Sequence, residues 1–311
     1  MKNWKGALVA LLLSGAAVPV VAASEPQAPA QAEQVVRSLK PQRGKIAIAE
    51  ANATLDLGEA YDFYDKADAR RVLVEIWGNP PASADSVLGL VMPAGASPLS
   101  DSWGAVVSYE DTGFVSDDDA ADVDYGELLG QMREGEAERN TQRKQEGYPA
   151  IHLAGWAETP RYDAATHSVV WAQDLAFEET PVHTLNYDVR TLGRRGVLSI
   201  NFISGMNQLS SIREAANAFT THAAFDAGSR YADFDASTDK EAEYGIGGLV
   251  AAGVGVAAAK KLGLFAILLK FLKPILLAVV AGAAMLRGRI AALFGRKREP
   301  EAEWESQEPG E

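Results

Sequence analysis

The sequence predicts an α+β domain, an antiparallel sheet of hairpins with a few packed helices, followed by one or more C-terminal transmembrane helices. Strand-like segments occur in adjacent pairs joined by short turns, as at 184–203. The amphipathic helical segments are few and do not alternate with the strands in βαβ order. Residues 245–286 carry almost no polar side chains and are long enough to cross a bilayer.

The first half of the body predicts a hairpin, a helix and two strands. Apolar residues alternate through 45–57 on both sides of a turn. Asp65 stands where a helix N-cap belongs, and apolar residues follow it at helical spacing until the Gly-Asn-Pro-Pro breaker at 78–81. Residues 87–92 and 103–109 have the apolar, β-branched composition of strands.

The second half predicts two more helices and two hairpins. Asp124 begins a helix whose apolar residues cover only its first turns, so we expect its polar half to face solvent or a polar partner. The last helix is expected over 208–221. The two hairpins pair 151–157 with 167–175 and 184–192 with 197–203.

The two ends of the chain predict export and membrane attachment. Residues 1–23 combine two lysines, an apolar run and small residues at the cleavage positions, which predicts a signal peptide; an uncleaved anchor is the alternative. The rest of the chain divides into a linker at 24–44, an extracytoplasmic α+β domain at 45–240, a membrane anchor at 241–290 and a basic then acidic disordered tail at 291–311.

The apolar segment is longer than one span needs. At about 1.5 Å per residue, a helix over 245–286 is roughly twice as long as the hydrocarbon core is thick, so one span with an interfacial helix and a pair of spans both fit. The basic cluster at 287–298 belongs in the cytoplasm by the positive-inside rule, which favours an odd number of crossings. A face of small residues predicts helix packing between chains or within one chain: Gly247, Ala251, Gly255 and Ala259.

The composition excludes several classes of function. The 311 residues include no cysteine, which excludes disulfides, thiolate metal sites and a cysteine nucleophile. The formal net charge of -13 argues against nucleic acid as a partner. No phosphate loop, dinucleotide fingerprint or nucleophile elbow occurs, so we expect no cofactor. The expected partners are the lipid bilayer and an envelope protein, with a second copy of the chain as a further candidate.

Four residues are candidates for binding. Arg194 and Arg195 form the tip of the last hairpin, where they can bind an anionic partner or simply face solvent. Trp156 and Trp171 lie on predicted strands and can form a binding platform or pack in the core.

We expect no metal site, although one acidic segment comes close to a metal-binding pattern. Asp233, Asp235 and Asp239 place oxygens at alternate positions, as the start of a calcium loop does. The glycine and glutamate that such a loop needs at its sixth and twelfth positions are missing. The acidic run at 117–124 precedes a helix, where the helix dipole alone favours carboxylates.

Six short strings, spread over the body, stand out together. They lie at 74–81, 147–149, 155–158, 160–163, 185–194 and 228–234. Jointly they resemble the bacterial family called domain of unknown function 2167. The resemblance implies an exported domain on a C-terminal membrane anchor, with no established catalytic residues. The last hairpin and helix also resemble the end of Mog1/PsbP-type α+β domains, at the level of fold only.

These observations predict a membrane-anchored envelope protein that acts as a non-enzymatic binding or regulatory module. Its expected place is the inner (cytoplasmic) membrane, with the main domain in the periplasm. One alternative is a periplasmic hydrolase that uses a carboxylate from Asp163, Asp188 or Asp233 with a histidine such as His167. The other alternative is an oligomeric membrane scaffold.

Overall fold

The computed structural model describes residues 29–178 and 180–252, which contain ten strands in two sheets. The strands are β1 (Lys45–Ile48), β2 (Ala53–Asp56), β3 (Tyr61–Asp65), β4 (Val87–Pro93), β5 (Gly104–Glu110), β6 (Ile151–Asp163), β7 (Ser168–Phe177), β8 (Thr184–Leu192), β9 (Val197–Gly205) and β10 (Ala223–Phe225). One sheet has the order β1-β2-β10, and the other has the order β3-β4-β5-β9-β8-β7-β6.

Six α-helices lie in the described residues. They are α1 (Pro29–Ser38), α2 (Lys66–Arg71), α3 (Tyr125–Glu134), α4 (Glu136–Gln145), α5 (Leu209–His222) and α6 (Ile246–Ala252). Helix α2 continues into a π-helical turn over Val72–Ile76. Its N-cap is Asp65, whose side chain accepts hydrogen bonds from the N–H groups of Ala67 and Asp68.

Every neighbouring pair of strands in both sheets is antiparallel, which confirms the predicted α+β class. Hairpin turns join β6 to β7 and β8 to β9, as the sequence predicts. Among the described residues, no helix has both the length and the apolar character needed to cross a membrane. The predicted signal peptide at 1–23, the anchor from 253 onward and the tail at 291–311 lie outside the described residues.

One face of the seven-stranded sheet carries the largest apolar cluster of the described residues. The small sheet and α5 cover it, and the aromatic side chains of Tyr187, Phe202 and Phe219 meet at its centre. Phe202 packs edge-on against Phe219, with 5.4 Å between ring centroids. This cluster is the main hydrophobic core.

The opposite face carries two smaller apolar clusters. Helix α2 and its π-helical turn cover the β3–β5 side, where Leu73 and Leu90 are buried. Helices α3 and α6 cover the β6–β9 side, where Trp171 and Leu249 are buried. The strands between the two clusters carry polar residues on this face.

The N-terminal part of the fold differs from the sequence prediction. The linker predicted at 24–44 contains α1, whose Ala32 and Val35 are buried because the helix packs against the π-helical turn. Strand β3 was not predicted, since its alternating aspartates and aromatic residues resemble an exposed loop. In the structure Asp62 is buried because Arg43 and the N–H of Gly95 bind its carboxylate.

Candidate functional site

The middle strands of the seven-stranded sheet share a polar patch on the face opposite the main core. The register places Asp188 of β8 between Trp171 of β7 and Asn201 of β9, and side chains two residues along each strand extend the patch. We call this group the polar centre: Glu110, Trp171, Gln173, Asn186, Asp188, Arg190, Ser199 and Asn201. All but Glu110 and Asn201 are more than nine-tenths buried.

Arg190 joins two carboxylates within the polar centre. Its Nη1 donates to Oε1 of Glu110 at 3.1 Å, and its Nε lies 3.5 Å from Oδ1 of Asp188. The guanidinium also lies over the ring of Trp171, 5.2 Å from its centroid. Burial raises the pKa of Asp188, although Arg190 and Asn201 act against it. Burial acts to lower the pKa of Arg190, but Glu110 and Asp188 outweigh it, and the pKa lies above its ordinary value.

Several buried atoms of the polar centre have no hydrogen-bond partner among the described residues. They are Nε1 of Trp171, Nε2 of Gln173 and Oγ of Ser199, and Nε of Arg190 faces Asp188 without hydrogen-bond geometry. Buried polar atoms in native proteins are nearly always paired. A further molecule could form hydrogen bonds with these unpaired atoms, which makes the polar centre the candidate binding site of the domain.

The structure pairs both candidate arginines of the hairpin tip with a carboxylate of the same chain. Arg194 Nε donates to Oδ2 of Asp239 at 2.6 Å, and Arg195 Nε lies 3.4 Å from Oδ1. Hydrogen bonds from Arg194 and from the N–H of Asp235 lower the pKa of Asp239 to about 2. The Asp239 side chain is 1% exposed, whereas that of Arg195 is 65% exposed. The tip is therefore an ion-paired turn in which Arg195 alone retains an exposed side chain.

The other two acidic candidates bind backbone groups of their own segment. Asp233 Oδ2 accepts hydrogen bonds from the N–H groups of Gly228 and Arg230. Asp235 Oδ1 accepts from the N–H and the hydroxyl of Ser237. Within the described ranges, no three acidic or histidine side chains are arranged to hold a metal ion.

Neither candidate tryptophan forms an exposed platform. Trp171 is fully buried beneath α3 and α6. Trp156 is partly buried, and its Nε1 donates to the carbonyl of Tyr125 at 2.9 Å. Both side chains pack the core, which is the alternative role that the sequence left open for them.

Asp117 joins the β6–β7 turn to the segment that follows β10. The hydroxyl of Tyr162 donates to its Oδ2 at 2.6 Å, and the hydroxyl of Tyr231 donates to its Oδ1 at 3.0 Å. His167 Nδ1 lies 2.9 Å from the Tyr162 hydroxyl, and its ring stacks on Tyr231. Burial raises the pKa of both tyrosines, and Asp117 raises it further, so both remain protonated hydrogen-bond donors.

The residues of the hydrolase alternative lie in separate environments. Asp163 accepts a hydrogen bond from the N–H of Ala165 in the β6–β7 turn, and Asp188 is buried in the polar centre. In the part of the chain that the structure describes, no hydrogen bond or ion pair joins Asp163, Asp188 or Asp233 to His167. The geometry provides no acid–base pair from this set.

A comparison with known protein families shows to which family the chain belongs. Residues 40–284 match the family described as "Protein of unknown function (DUF2167)". The chain belongs to the DUF2167 family. The solution structure of cyanobacterial PsbP (CyanoP) from Synechocystis sp. PCC 6803 is similar over 68% of this chain and 98% of that chain, at 7% identity and a TM-score of 0.34. No curated protein matches the chain.

In this DUF2167 domain, the apolar C-terminal segment begins inside the core. Ile246, Leu249 and Val250 of α6 are fully buried and pack in the same cluster as Leu128 and Met132 of α3. The sequence assigned residues 241–252 to the membrane anchor, whereas the structure packs α6 on the domain. A buried helix and a membrane helix both consist of apolar residues, so the sequence alone could not place the boundary between domain and anchor.

The loop before α3 fixes the start of α6. The carboxylate of Asp119 accepts hydrogen bonds from the N–H groups of Ile246, at 2.8 Å, and Gly247, at 3.1 Å. A Cβ at Gly247 would lie 3.3 Å from a methyl group of Val123, which shows how closely the loop approaches. Gly247 and the buried Ala251 therefore pack within the chain. The other two small residues of that face, Gly255 and Ala259, lie outside the described residues.

Side chains of α3 and α4 cover the edge strand of the DUF2167 domain. Arg133 Nε donates to the carbonyl of Leu153 at 2.9 Å, and Glu136 accepts from the N–H of Leu153 at 2.7 Å. Asn140 both donates to and accepts from the backbone of Ile151. The polar helix, which was expected to face solvent or a polar partner, thus satisfies the free backbone groups of β6 and protects the edge from pairing with another chain.

An open groove of about 430 Å³ lies between α4 and the start of β6. Lys144 donates to Glu178 at 2.9 Å across it. His152 lies between two carboxylates, with Nδ1 3.3 Å from Glu136 and Nε2 3.8 Å from Glu178. The positive charges of Arg133 and Lys144 in its lining balance the negative charges of Glu136 and Glu178, so the groove favours no ligand of one sign.

Most of the polar centre was not predicted from the sequence. Trp171 and Asp188 were candidate residues, whereas Arg190, Glu110 and Gln173 were not. The available signal was the alternation of polar and apolar residues at 185–190, which is typical of a strand with one face in solvent. That pattern does not show that neighbouring strands bury the polar face as well.

Proposed function

We propose that this DUF2167 protein is an envelope protein of the inner membrane whose α+β domain acts in the periplasm as a binding or regulatory module. The observation that carries the proposal is the position of α6. The apolar segment that predicts the anchor starts as a buried helix of the domain, so the predicted anchor would follow directly from an element of the domain core.

The contacts around α6 support a regulatory role. Asp119 binds the first turn of α6, while Asp117, two residues earlier, binds Tyr162 and Tyr231. One loop therefore connects the end of β6 and the segment after β10 with the helix that leads into the apolar segment. A partner that shifts this loop changes the contacts of α6, and the next residues in the chain belong to the predicted anchor.

The charge of the chain supports a domain that stands away from the lipid surface. The formal net charge is -13, and acidic proteins are repelled by anionic headgroups. Among the described residues, the only large apolar side chain that is strongly exposed is Val182. Attachment to the bilayer then depends on the C-terminal segment, and the expected partner is an envelope protein or a second copy of the chain.

Single cysteines test the topology directly, because the chain has none of its own. Val182→Cys places a thiol at a position that is 64% exposed, and Ser306→Cys places one in the tail. With a membrane-impermeant maleimide on spheroplasts, we expect Val182→Cys to react at once and Ser306→Cys to react only after permeabilisation. Protection of Val182→Cys overturns a periplasmic domain. Immediate labelling of both overturns the single net crossing and makes the anchor a hairpin.

A further inference from the structure

We propose that the polar centre is a buried binding site for a small uncharged molecule that presents hydrogen-bond acceptor oxygens, of the kind found in amides and peptide carbonyl groups. This inference deepens the proposed function, because it names the site and the ligand class of the binding module. It rests on the buried, unpaired side chains that converge on one sheet face.

The unpaired atoms set the polarity of the ligand. The indole N–H of Trp171 and the amide nitrogen of Gln173 are donors, and the hydroxyl of Ser199 can donate as well. All three side chains are more than nine-tenths buried. Leaving such donors unpaired is unfavourable, so an acceptor that reaches them gains the hydrogen bonds that the donors lack within the domain.

The charges of the polar centre exclude ions as the preferred ligand. Glu110 and Asp188 carry two negative charges against the single positive charge of Arg190. An added anion would increase the net negative charge of a buried site, whereas a cation would meet the donor hydrogens of Trp171 and Gln173. A neutral acceptor avoids both costs.

The sheet geometry sets the size of the ligand. The unpaired atoms come from β7, β8 and β9, and three adjacent strands span about 10 Å. The register places Gln173 level with Asn186 and Ser199 level with Arg190, four residues further along β8, which is about 13 Å. A footprint of this size fits two or three amide groups.

Entry to the polar centre involves the start of α6. Tyr244 lies close enough to Glu110 and Arg190 for both charges to act on its pKa, which burial raises. Its side chain also packs against Gly248, where an added Cβ would lie 2.5 Å from the Cβ of Tyr244 and 3.1 Å from its ring atom Cγ. Tyr244 packs against the apolar cluster that contains Trp171 and Leu249, so movement of Tyr244 uncovers this side of the polar centre and changes the packing of α6.

Indole NMR of the full chain in lipid nanodiscs tests the site. The chain has 6 tryptophans, and a Trp171→Phe variant assigns the signal of Trp171. The probe is N-methylacetamide, compared with acetate and with guanidinium. We expect N-methylacetamide to shift the Trp171 signal in a saturable manner, and acetate and guanidinium to bind at least several-fold more weakly. The signal of Trp156, whose N–H is already paired, should not move.

Matched serine variants of one strand sharpen the test. Ser199→Ala removes a donor of the polar centre, and loss of one hydrogen bond should weaken probe binding about two- to tenfold. Ser204→Ala makes the same change on the other face of β9, where the hydroxyl donates to the carbonyl of Gly205, and should leave binding unchanged.

Three outcomes overturn the site. One is a Trp171 signal that no probe shifts and that shows magnetisation transfer from water, which means that internal water alone fills the polar centre. The second is a non-saturating shift shared by all indoles, and the third is equal binding to both serine variants. Because the maleimide experiment reports location independently, a periplasmic domain without probe binding overturns this site and leaves the proposed function standing.

Discussion

The two faces of the seven-stranded sheet are built on different principles. On one face, Phe202 and Tyr187 lie in a continuous apolar core closed by α5 and the small sheet. On the other face, the apolar clusters stand at the two sides, and the polar centre around Asp188 and Arg190 lies between them. Both faces are buried, so the difference is not one of solvent exposure.

This difference indicates that the two faces of the sheet have different roles. Apolar burial stabilises a fold in proportion to the area removed from water. A buried ion pair adds little net stability, since the desolvation of its charges offsets their attraction. The main core therefore stabilises the domain, whereas the polar centre is explained better by the binding role proposed for it.

The largest expected effect tests the apolar face. Phe202→Ala leaves a cavity beside Phe219 and Trp103, and truncation of a fully buried phenylalanine costs about 3–5 kcal/mol of unfolding free energy. Chemical denaturation of the full chain in detergent measures it. A loss below about 1 kcal/mol would contradict the assignment of this face as the main core.

A substitution in the polar centre should destabilise the domain by leaving a buried charge unpaired, rather than by leaving a cavity. Arg190→Met leaves Asp188 buried without its counter-charge, at a cost of about 3–5 kcal/mol of unfolding free energy. Adding Asp188→Asn removes the unpaired charge and should restore most of this loss, since Glu110 is partly exposed. Denaturation of both variants measures the recovery. A double variant as unstable as the single variant would show that the unpaired charge of Asp188 does not cause the loss.

A smaller effect is expected at the helix that covers the polar face. Asp119→Ala removes the cap of α6 and should cost about 1 kcal/mol. Amide hydrogen exchange at Ile246 and Gly247 should accelerate accordingly. Asp124→Ala removes the equivalent cap of α3 and serves as the control, because it should leave those two amides unchanged.

The smallest effect concerns the hairpin tip beside the polar centre. The folded-state pKa of Asp239 is lowered from 3.8 to about 2, so the folded chain binds this proton less readily than the unfolded chain. Its stabilisation is complete above the ordinary pKa and is lost as the pH falls through about 2. The unfolding free energy of Asp239→Asn should therefore depend less on pH than that of the natural chain between about pH 4 and pH 2.

The exposed Asp118→Asn variant is the control for this pH series. It removes a carboxylate from the acidic loop without touching Arg194 or Arg195, so it measures the effect of losing one exposed carboxylate. If Asp239→Asn follows the natural chain, the arginines do not stabilise the Asp239 carboxylate.

Local patterns predicted the elements that depend on local interactions. The hairpin of β8 and β9 was predicted because apolar alternation surrounds a short Gly-Arg-Arg-Gly turn, and α2 was predicted from the Asp65 cap and helical spacing. These signals depend on residues that are near one another in sequence. These signals can therefore be recognised without knowledge of the tertiary fold.

The candidate site depends on contacts that are distant in sequence. Arg190 meets Glu110 across 80 positions, and Asp119 binds Ile246 across 127 positions. Arg194 was expected at an exposed tip, but Asp239, 45 positions later, pairs with it. One sequence shows the polarity of such residues, and only the register of the strands shows which of them meet.

The central claim is that the apolar C-terminal segment begins inside the domain, and a cysteine pair tests it most directly. Because the chain has no cysteine and Val123 lies against Gly247, the double variant Val123→Cys/Gly247→Cys places two thiols within disulfide reach. In membranes of cells that express the full chain, we expect mild oxidation to form this disulfide. The control pair Val182→Cys/Gly247→Cys should remain reduced. Free, maleimide-reactive thiols in the Val123→Cys/Gly247→Cys variant after oxidation would contradict the claim and would place the start of the segment outside the domain.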